Sequence, residues 1–234
     1  MSHGTEALRR AVLEANLALV ESGLVKETFG NVSGVDRGAG VVVIKPSGVP
    51  YRDLTPADMV PVSLETGDVL AGGRRPSSDT PTHLELYRAF PCGAIAHTHS
   101  LHATAFAQAQ RPIPCMGTTH ADYFRGDIPV TRPLSREEVA GAYERNTGLV
   151  IVEVVRASER SAMEIPAALV AHHGPFTWGA SPEAAVAHAR VLEYLAQIEL
   201  VRLGLAPDAP SPADYLVRKH YLRKHGADAY YGQP

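Results

Sequence analysis

The stretch Ala94-Ile95-Ala96-His97-Thr98-His99-Ser100 decides how this chain is read. Its apolar opening predicts a buried strand, and residues i and i+2 of a strand share a face, so His97 and His99 aim two imidazoles at one point. Ser100-Leu101-His102 then opens a helix-like stretch, which puts the pair at the end of an element, where a cleft can form. Neutral imidazole is a strong ligand for zinc and its first-row neighbours, so the pair supplies half of a metal site.

A third candidate lies downstream. Ala167-Ala168-Leu169-Val170-Ala171-His172-His173-Gly174-Pro175 is another short apolar run with histidine at its end, stopped by Gly-Pro, and it predicts a second buried strand delivering imidazole to the same kind of edge. Either member of the doublet can serve. Three histidines with an open position form a catalytic rather than a structural zinc pattern.

Composition narrows the alternatives. With 234 residues, 45% of them hydrophobic, and no linker-like stretch, the chain reads as one domain over 1–234. Its formal charge is −3, and it has neither a Lys/Arg run nor interleaved aromatic and basic residues, which argues against nucleic-acid and anionic-membrane partners. No apolar stretch is long enough to span a bilayer, and the start Met1-Ser2-His3-Gly4 is no leader, so a cytoplasmic protein is expected. Cys92 and Cys115 are isolated and read as reduced thiols.

Strand and helix patterns alternate. Leu8, Ala11, Val12, Ala15 and Leu19 recur at helical spacing before Gly23, and further helices are predicted over 82–90, from Ser135 with Glu138 as a capping box, from Ser181 to about Leu203, and from Pro212 to about His225. Val41 to Ile44, Val60 to Leu64 and Val150 to Val152 read as strands. The sum is a central sheet flanked by helices.

Three loops look built for an anion. Gly30-Asn31-Val32-Ser33, Lys45-Pro46-Ser47-Gly48 and Pro76-Ser77-Ser78-Asp79-Thr80 offer backbone N–H groups, hydroxyls and an ammonium, and Ser77-Ser78 immediately precede a predicted helix N-terminus. Together they favour a small phosphorylated ligand. Asp79 either caps that helix or stands at the metal as an oxygen ligand or as a partner to an imidazole. Lys45, ending a short apolar strand, also suits a Schiff-base lysine. Tyr230 and Tyr231 near the C-terminus imply a tail that docks, with a neighbouring subunit as one candidate surface.

These segments, together with Glu14-Ala15-Asn16-Leu17-Ala18-Leu19, Gly117-Thr118-Thr119-His120-Ala121-Asp122-Tyr123-Phe124, His173-Gly174-Pro175-Phe176 and the tail from His220 to Gln233, resemble the class II aldolase family almost end to end. The Thr-His-Ala-Asp-Tyr-Phe block and the Tyr-Tyr-Gly-Gln tail resemble its sugar-phosphate epimerase branch. The resemblance implies an α/β fold with a mainly antiparallel central sheet and helices on both faces. The reaction it implies is metal-dependent C4 epimerisation of L-ribulose 5-phosphate to D-xylulose 5-phosphate, by retro-aldol cleavage of C3–C4 and re-addition through an enediolate. The alternatives are a class II aldolase acting on an L-fuculose-1-phosphate-like substrate and a non-catalytic module like the adducin head.

By the same resemblance, His97, His99 and His173 bind one divalent ion per subunit, zinc or else manganese or another divalent ion, with Asp79 at or beside it. Gly30, Asn31, Lys45, Ser47, Gly48, Ser77 and Ser78 line the site for a phosphorylated ketopentose. Asp122 and Tyr231 act as acid and base with His220 in support, all three from an adjacent subunit of a homotetramer whose interfaces include the tail 212–234.

Overall fold

Short apolar runs separated by turns build the core of the molecule, whose computed structural model describes residues 3–158 and 160–231. The strands are β1 (Asn31–Asp36), β2 (Val41–Ile44), β3 (Val60–Ser63), β4 (Ala94–His97), β5 (Ala167–Leu169) and β6 (Pro175–Gly179). The helices are α1 (His3–Glu21), α2 (Thr80–Ala89), α3 (Leu101–Gln108), α4 (Thr118–Ala121), α5 (Arg136–Ala140), α6 (Tyr143–Ala157), α7 (Pro182–Leu205) and α8 (Asp214–His225). The sheet order is β3-β2-β1-β4-β6-β5, and each neighbouring pair is antiparallel.

Side-chain alternation sorts the strands between two layers of helix. Val42, Ile95, Ala168 and Trp178 join a core with α2 and α6, while their neighbours Val43, Ala94 and Ala96 join a second core with α1 and α7. Ala167 and Leu169, on the outer strand, meet α3 and the second half of α7 in a third cluster. This is the expected α/β architecture of an antiparallel sheet with helices on both faces. Asn31 of β1 pairs with His97 of β4, which pairs in turn with Phe176 of β6, so one row across the sheet carries the residues around which the cleft forms.

Three local readings are corrected. Val150-Ile151-Val152 is not a strand but the interior of α6, where Thr147, Ile151 and Val155 are buried at helical spacing. Burial against neighbouring elements outweighs a β-propensity that spans only about 1 kcal/mol. The strand through Ala167 ends at Leu169, and His172 and His173 lie in the tight turn before β6, where His172 takes a left-handed φ of 63°. Gly30-Asn31-Val32-Ser33 is not wholly loop, because β1 starts at Asn31 and occupies the middle of the sheet. Its polar Asn31 and Ser33 hid it; Ser33 is satisfied by His83 Nδ1 and the Tyr87 hydroxyl, each 2.7 Å away.

Two of the helix starts are capped by the expected side chains. Ser135 and Glu138 form the expected box at the start of α5, and the Ser181 hydroxyl accepts the Ala184 N–H at the start of α7. No helix among the described residues is long and apolar enough to cross a membrane.

Candidate metal centre and substrate cleft

His97 is the last residue of β4 and is almost completely buried. Its ring stacks on Phe176 with centroids 4.1 Å apart, and its Nδ1–H donates to the Pro175 carbonyl at 3.0 Å. A carbonyl only accepts, so Nδ1 holds the proton and Nε2 is left with a lone pair. Burial keeps this ring neutral, pulling its pKa down to about 3. His99, beyond the strand end, brings its Nε2 to 3.1 Å from His97 Nε2. The two imidazoles therefore converge through the loop after β4, and not by strand alternation alone.

His173 completes the set. A ligand nitrogen from each of His97, His99 and His173 lies within 4.8 Å of the other two. Two imidazole nitrogens on one tetrahedral zinc stand about 3.3 Å apart, so the His97–His99 spacing suits a shared cation, as does a lone pair fixed by a carbonyl behind it. His172 is exposed and outside the group, so of the doublet it is His173 that stands with the other two imidazoles.

Two close approaches set these positions. A Cβ on Gly174 would stand 2.8 Å from the Thr98 carbonyl oxygen, so the turn bearing His173 can rest on the His97-Thr98-His99 segment only without a side chain there. Asp79 sits at the start of α2 but makes no cap hydrogen bond; its Oδ2 accepts instead from Asn31 Nδ2 at 2.6 Å. Burial acts to raise the Asp79 carboxyl, and His97, His83 and Asn31 outweigh it, holding the group below the usual carboxylate range.

These groups share one cleft of about 400 Å³. Gly30, Asn31, Lys45, Ser47, Gly48, Ser77, Ser78, Asp79, His97, His99 and His173 all line it, so every expected metal and anion residue is gathered in one place. Backbone bonds stitch the two anion loops together, Ser77 N–H to the Lys45 carbonyl and Ser47 N–H to the Arg75 carbonyl. Lys45 is buried and its ammonium meets the Pro46 carbonyl at 3.2 Å and the Tyr51 ring at 4.6 Å from the centroid. Desolvation lowers its pKa. A buried cation held by a carbonyl and a π face, with no ion pair to a carboxylate among the described residues, is suited to an anionic ligand.

Asp122, His220 and Tyr231 gather elsewhere. Asp122 accepts from Arg223 Nε at 2.9 Å and Nη2 at 2.7 Å and lies 3.1 Å from His220 Nδ1, while the Arg223 guanidinium lies 4.1 Å from the Tyr231 ring centroid. None of them lines the cleft of its own chain. Burial would raise the Asp122 carboxyl, but the Arg223 and His220 hydrogen bonds hold it low. The tail residues Gly232 and Gln233 lie outside the described residues.

Residues 10–200 match the model for class II aldolase and adducin N-terminal domains. This chain is a class II aldolase family member. It is 52% identical over 229 residues to the L-ribulose-5-phosphate 4-epimerase UlaF of Salmonella paratyphi C (strain RKS4594), covering 97% of this chain and 99% of that one. The same figures hold for the UlaF of Salmonella choleraesuis (strain SC-B67). Among solved structures, an L-fuculose 1-phosphate aldolase superposes with TM-score 0.77 at 24% identity, over 94% of this chain and 95% of that one. The L-fuculose-1-phosphate aldolase of Thermus thermophilus superposes at 0.67 with 26% identity, over 86% and 98%.

Several residues of this class II aldolase cleft escaped the sequence reading. Tyr143 and Glu144, at the start of α6, line the cleft, and Tyr143 OH lies 3.4 Å from His173 Nδ1. Phe29, 54% exposed, tilts against His99 at 6.0 Å. Tyr51 donates its hydroxyl to the Gly30 carbonyl at 2.7 Å and so ties the floor under Lys45 to the loop beside His97. No motif announced these. Arg223 had a findable signal, since it follows His220 by three on a helix and so shares its face.

Proposed function

We propose that this protein is a divalent-metal-dependent L-ribulose-5-phosphate 4-epimerase that forms D-xylulose 5-phosphate. The observation that carries the proposal is the 52% identity, over 97% of the chain, to proteins of that activity. The three-imidazole centre beside an anion-receiving cleft supports it.

C4 of a 2-ketopentose bears no acidic hydrogen, so inversion there runs through breaking and remaking the C3–C4 bond. A divalent ion held by His97, His99 and His173, with Asp79 at or beside it, supplies a Lewis acid for the negative charge that cleavage leaves on the keto half. Zinc suits the nitrogen donors best, with manganese or another divalent ion as alternatives. Lys45, Ser47, Ser77 and Ser78, with the backbone at Gly30 and Gly48, hold the phosphate and so retain the aldehyde fragment while it turns its other face. Asn31 orients Asp79.

Asp122, kept ionised by Arg223 and His220, takes the C4 hydroxyl proton during cleavage. Tyr231 returns a proton to the C4 oxygen on the opposite side after rotation. Both groups sit away from their own cleft, so we assign them to the cleft of an adjacent copy in a homotetramer, with the tail 212–234 at the interface. Tyr194, Ile198, Val201 and Leu205 form an exposed apolar stripe along α7, which favours self-association. A cytoplasmic, reducing setting suits the free thiols Cys92 and Cys115.

A coupled assay of L-ribulose 5-phosphate conversion tests the proposal, run before chelation, after it, and after adding back zinc or manganese. Conversion that disappears and returns supports the epimerase and its metal together. Free glycolaldehyde phosphate as the main product would instead indicate an aldolase.

A further inference from the structure

Helix α3 spans the two segments that carry the imidazoles. It begins two residues after His99, and near its far end the Ala107 carbonyl accepts the N–H of His172, the residue before His173. Any rotation or slide of α3 therefore moves one ligand segment against the other.

The start of this helix is capped from outside. Ser100 occupies the cap position but makes no side-chain cap hydrogen bond. The role falls to Glu193 in the middle of α7, whose Oε1 accepts the His102 N–H at 2.9 Å and whose Oε2 accepts the Ala103 N–H at 3.0 Å. The same carboxylate takes the His102 Nδ1–H at 2.7 Å. Three donors from the first turn thus converge on one anion at a helix N-terminus, where the macrodipole favours negative charge.

A local serine cap would satisfy the helix end equally well. It would not tie α3 to a second helix. The Glu193 clamp links the first turn of α3 to a 24-residue helix that is packed on the sheet, and so gives the irregular Thr98-His99-Ser100 segment a fixed exit.

We propose that Glu193 is a positioning residue for the metal centre, setting the separation of His99 and His173 through α3. The proposal rests on the reading that His97, His99 and His173 bind a divalent ion. Titration of the metal-free protein with Co(II), read by its visible absorption and by competition with a chromophoric chelator, tests both. Glu193→Gln is expected to weaken Co(II) binding by about 10- to 100-fold and to alter the absorption envelope. His102→Leu, which removes only the ring donor, is expected to weaken it by a few fold.

A lowered thermal midpoint of the metal-free Glu193→Gln protein with unchanged Co(II) affinity and spectrum would mean a merely structural cap and would overturn the proposal. Should Glu193→Gln fail to fold, unchanged affinity and spectrum in His102→Leu would overturn it equally. Wild-type protein that binds no Co(II) would refute the three-histidine reading itself and the proposal with it.

Discussion

Gly30 lies so close to His97 that a Cβ on Gly30 would stand 2.7 Å from the His97 carbonyl oxygen, and its φ of +97° is one that side-chain-bearing residues rarely adopt. The loop leading into β1 is thereby seated on the backbone of a candidate ligand. Gly30→Ala must either relax its backbone or push His97 aside. We expect a loss of about 1–3 kcal/mol in urea denaturation and a fall in kcat/KM of at least about tenfold, because a misplacement near 1 Å is costly to catalysis.

The histidine doublet makes a sharp internal control. His173→Ala should abolish stoichiometric zinc uptake measured by atomic absorption after dialysis. His172→Ala should keep it, because His172 is exposed and outside the nitrogen cluster. His172→Gly should go further and raise stability slightly, since glycine relieves the left-handed φ of 63°.

The proposed sharing of sites between subunits predicts complementation. Asp122→Asn and His97→Asn homo-oligomers should each be nearly inactive, by about 10²-fold or more. Mixed by unfolding and refolding together, they should recover about a quarter of wild-type activity, the share of sites that draws an intact cleft from one parent and an intact Asp122 from the other. No recovery in verified mixed oligomers would place both groups in a single subunit.

Acid should destabilise the metal-free protein well before its carboxylates titrate. Burial pulls His83, His97 and His120 from an ordinary 6.5 to about 4, 3 and 4. Folded, they stay neutral at a pH where the unfolded chain has already taken up their protons, so stability is full above about pH 6.5 and falls as the pH drops toward 4. Each contributes on the order of 2 kcal/mol of loss between pH 7 and pH 5. Urea midpoints in chelator at those two values check this, and His120→Asn, remote from the cleft, should flatten the slope.

Much of the site was legible because its chemistry is local in sequence. His97-Thr98-His99, Lys45 to Gly48 and Ser77 to Asp79 each carry their donors within a few residues, and all of them reach one cleft. Tyr143, Tyr51 and Glu193 were not legible because each acts through a distant partner: the ring of His173, the carbonyl of Gly30, the first turn of α3. The fold divides in the same way. Helix caps such as Ser135 and Ser181 are written in adjacent residues, whereas the assignment of Val150 to Val152 depended on what α6 packs against, and the central strand β1 was concealed by Asn31 and Ser33, whose Nδ2 and hydroxyl find their partners about fifty positions away.

The register row Asn31–His97–Phe176 has a consequence for how the molecule matures. A one-residue slip in β4 would turn His97 to the opposite core. The centre therefore does not exist until strands drawn from widely separated parts of the chain have aligned, long-range pairings that are slow to close. Capture of a divalent ion there would then act as a latch on the finished fold, since a ligand that binds only the native state adds its own binding free energy to stability. A newly made chain would gain its hold on metal late, in one step, and cells short of that metal would carry a population of otherwise complete molecules that unfold more readily.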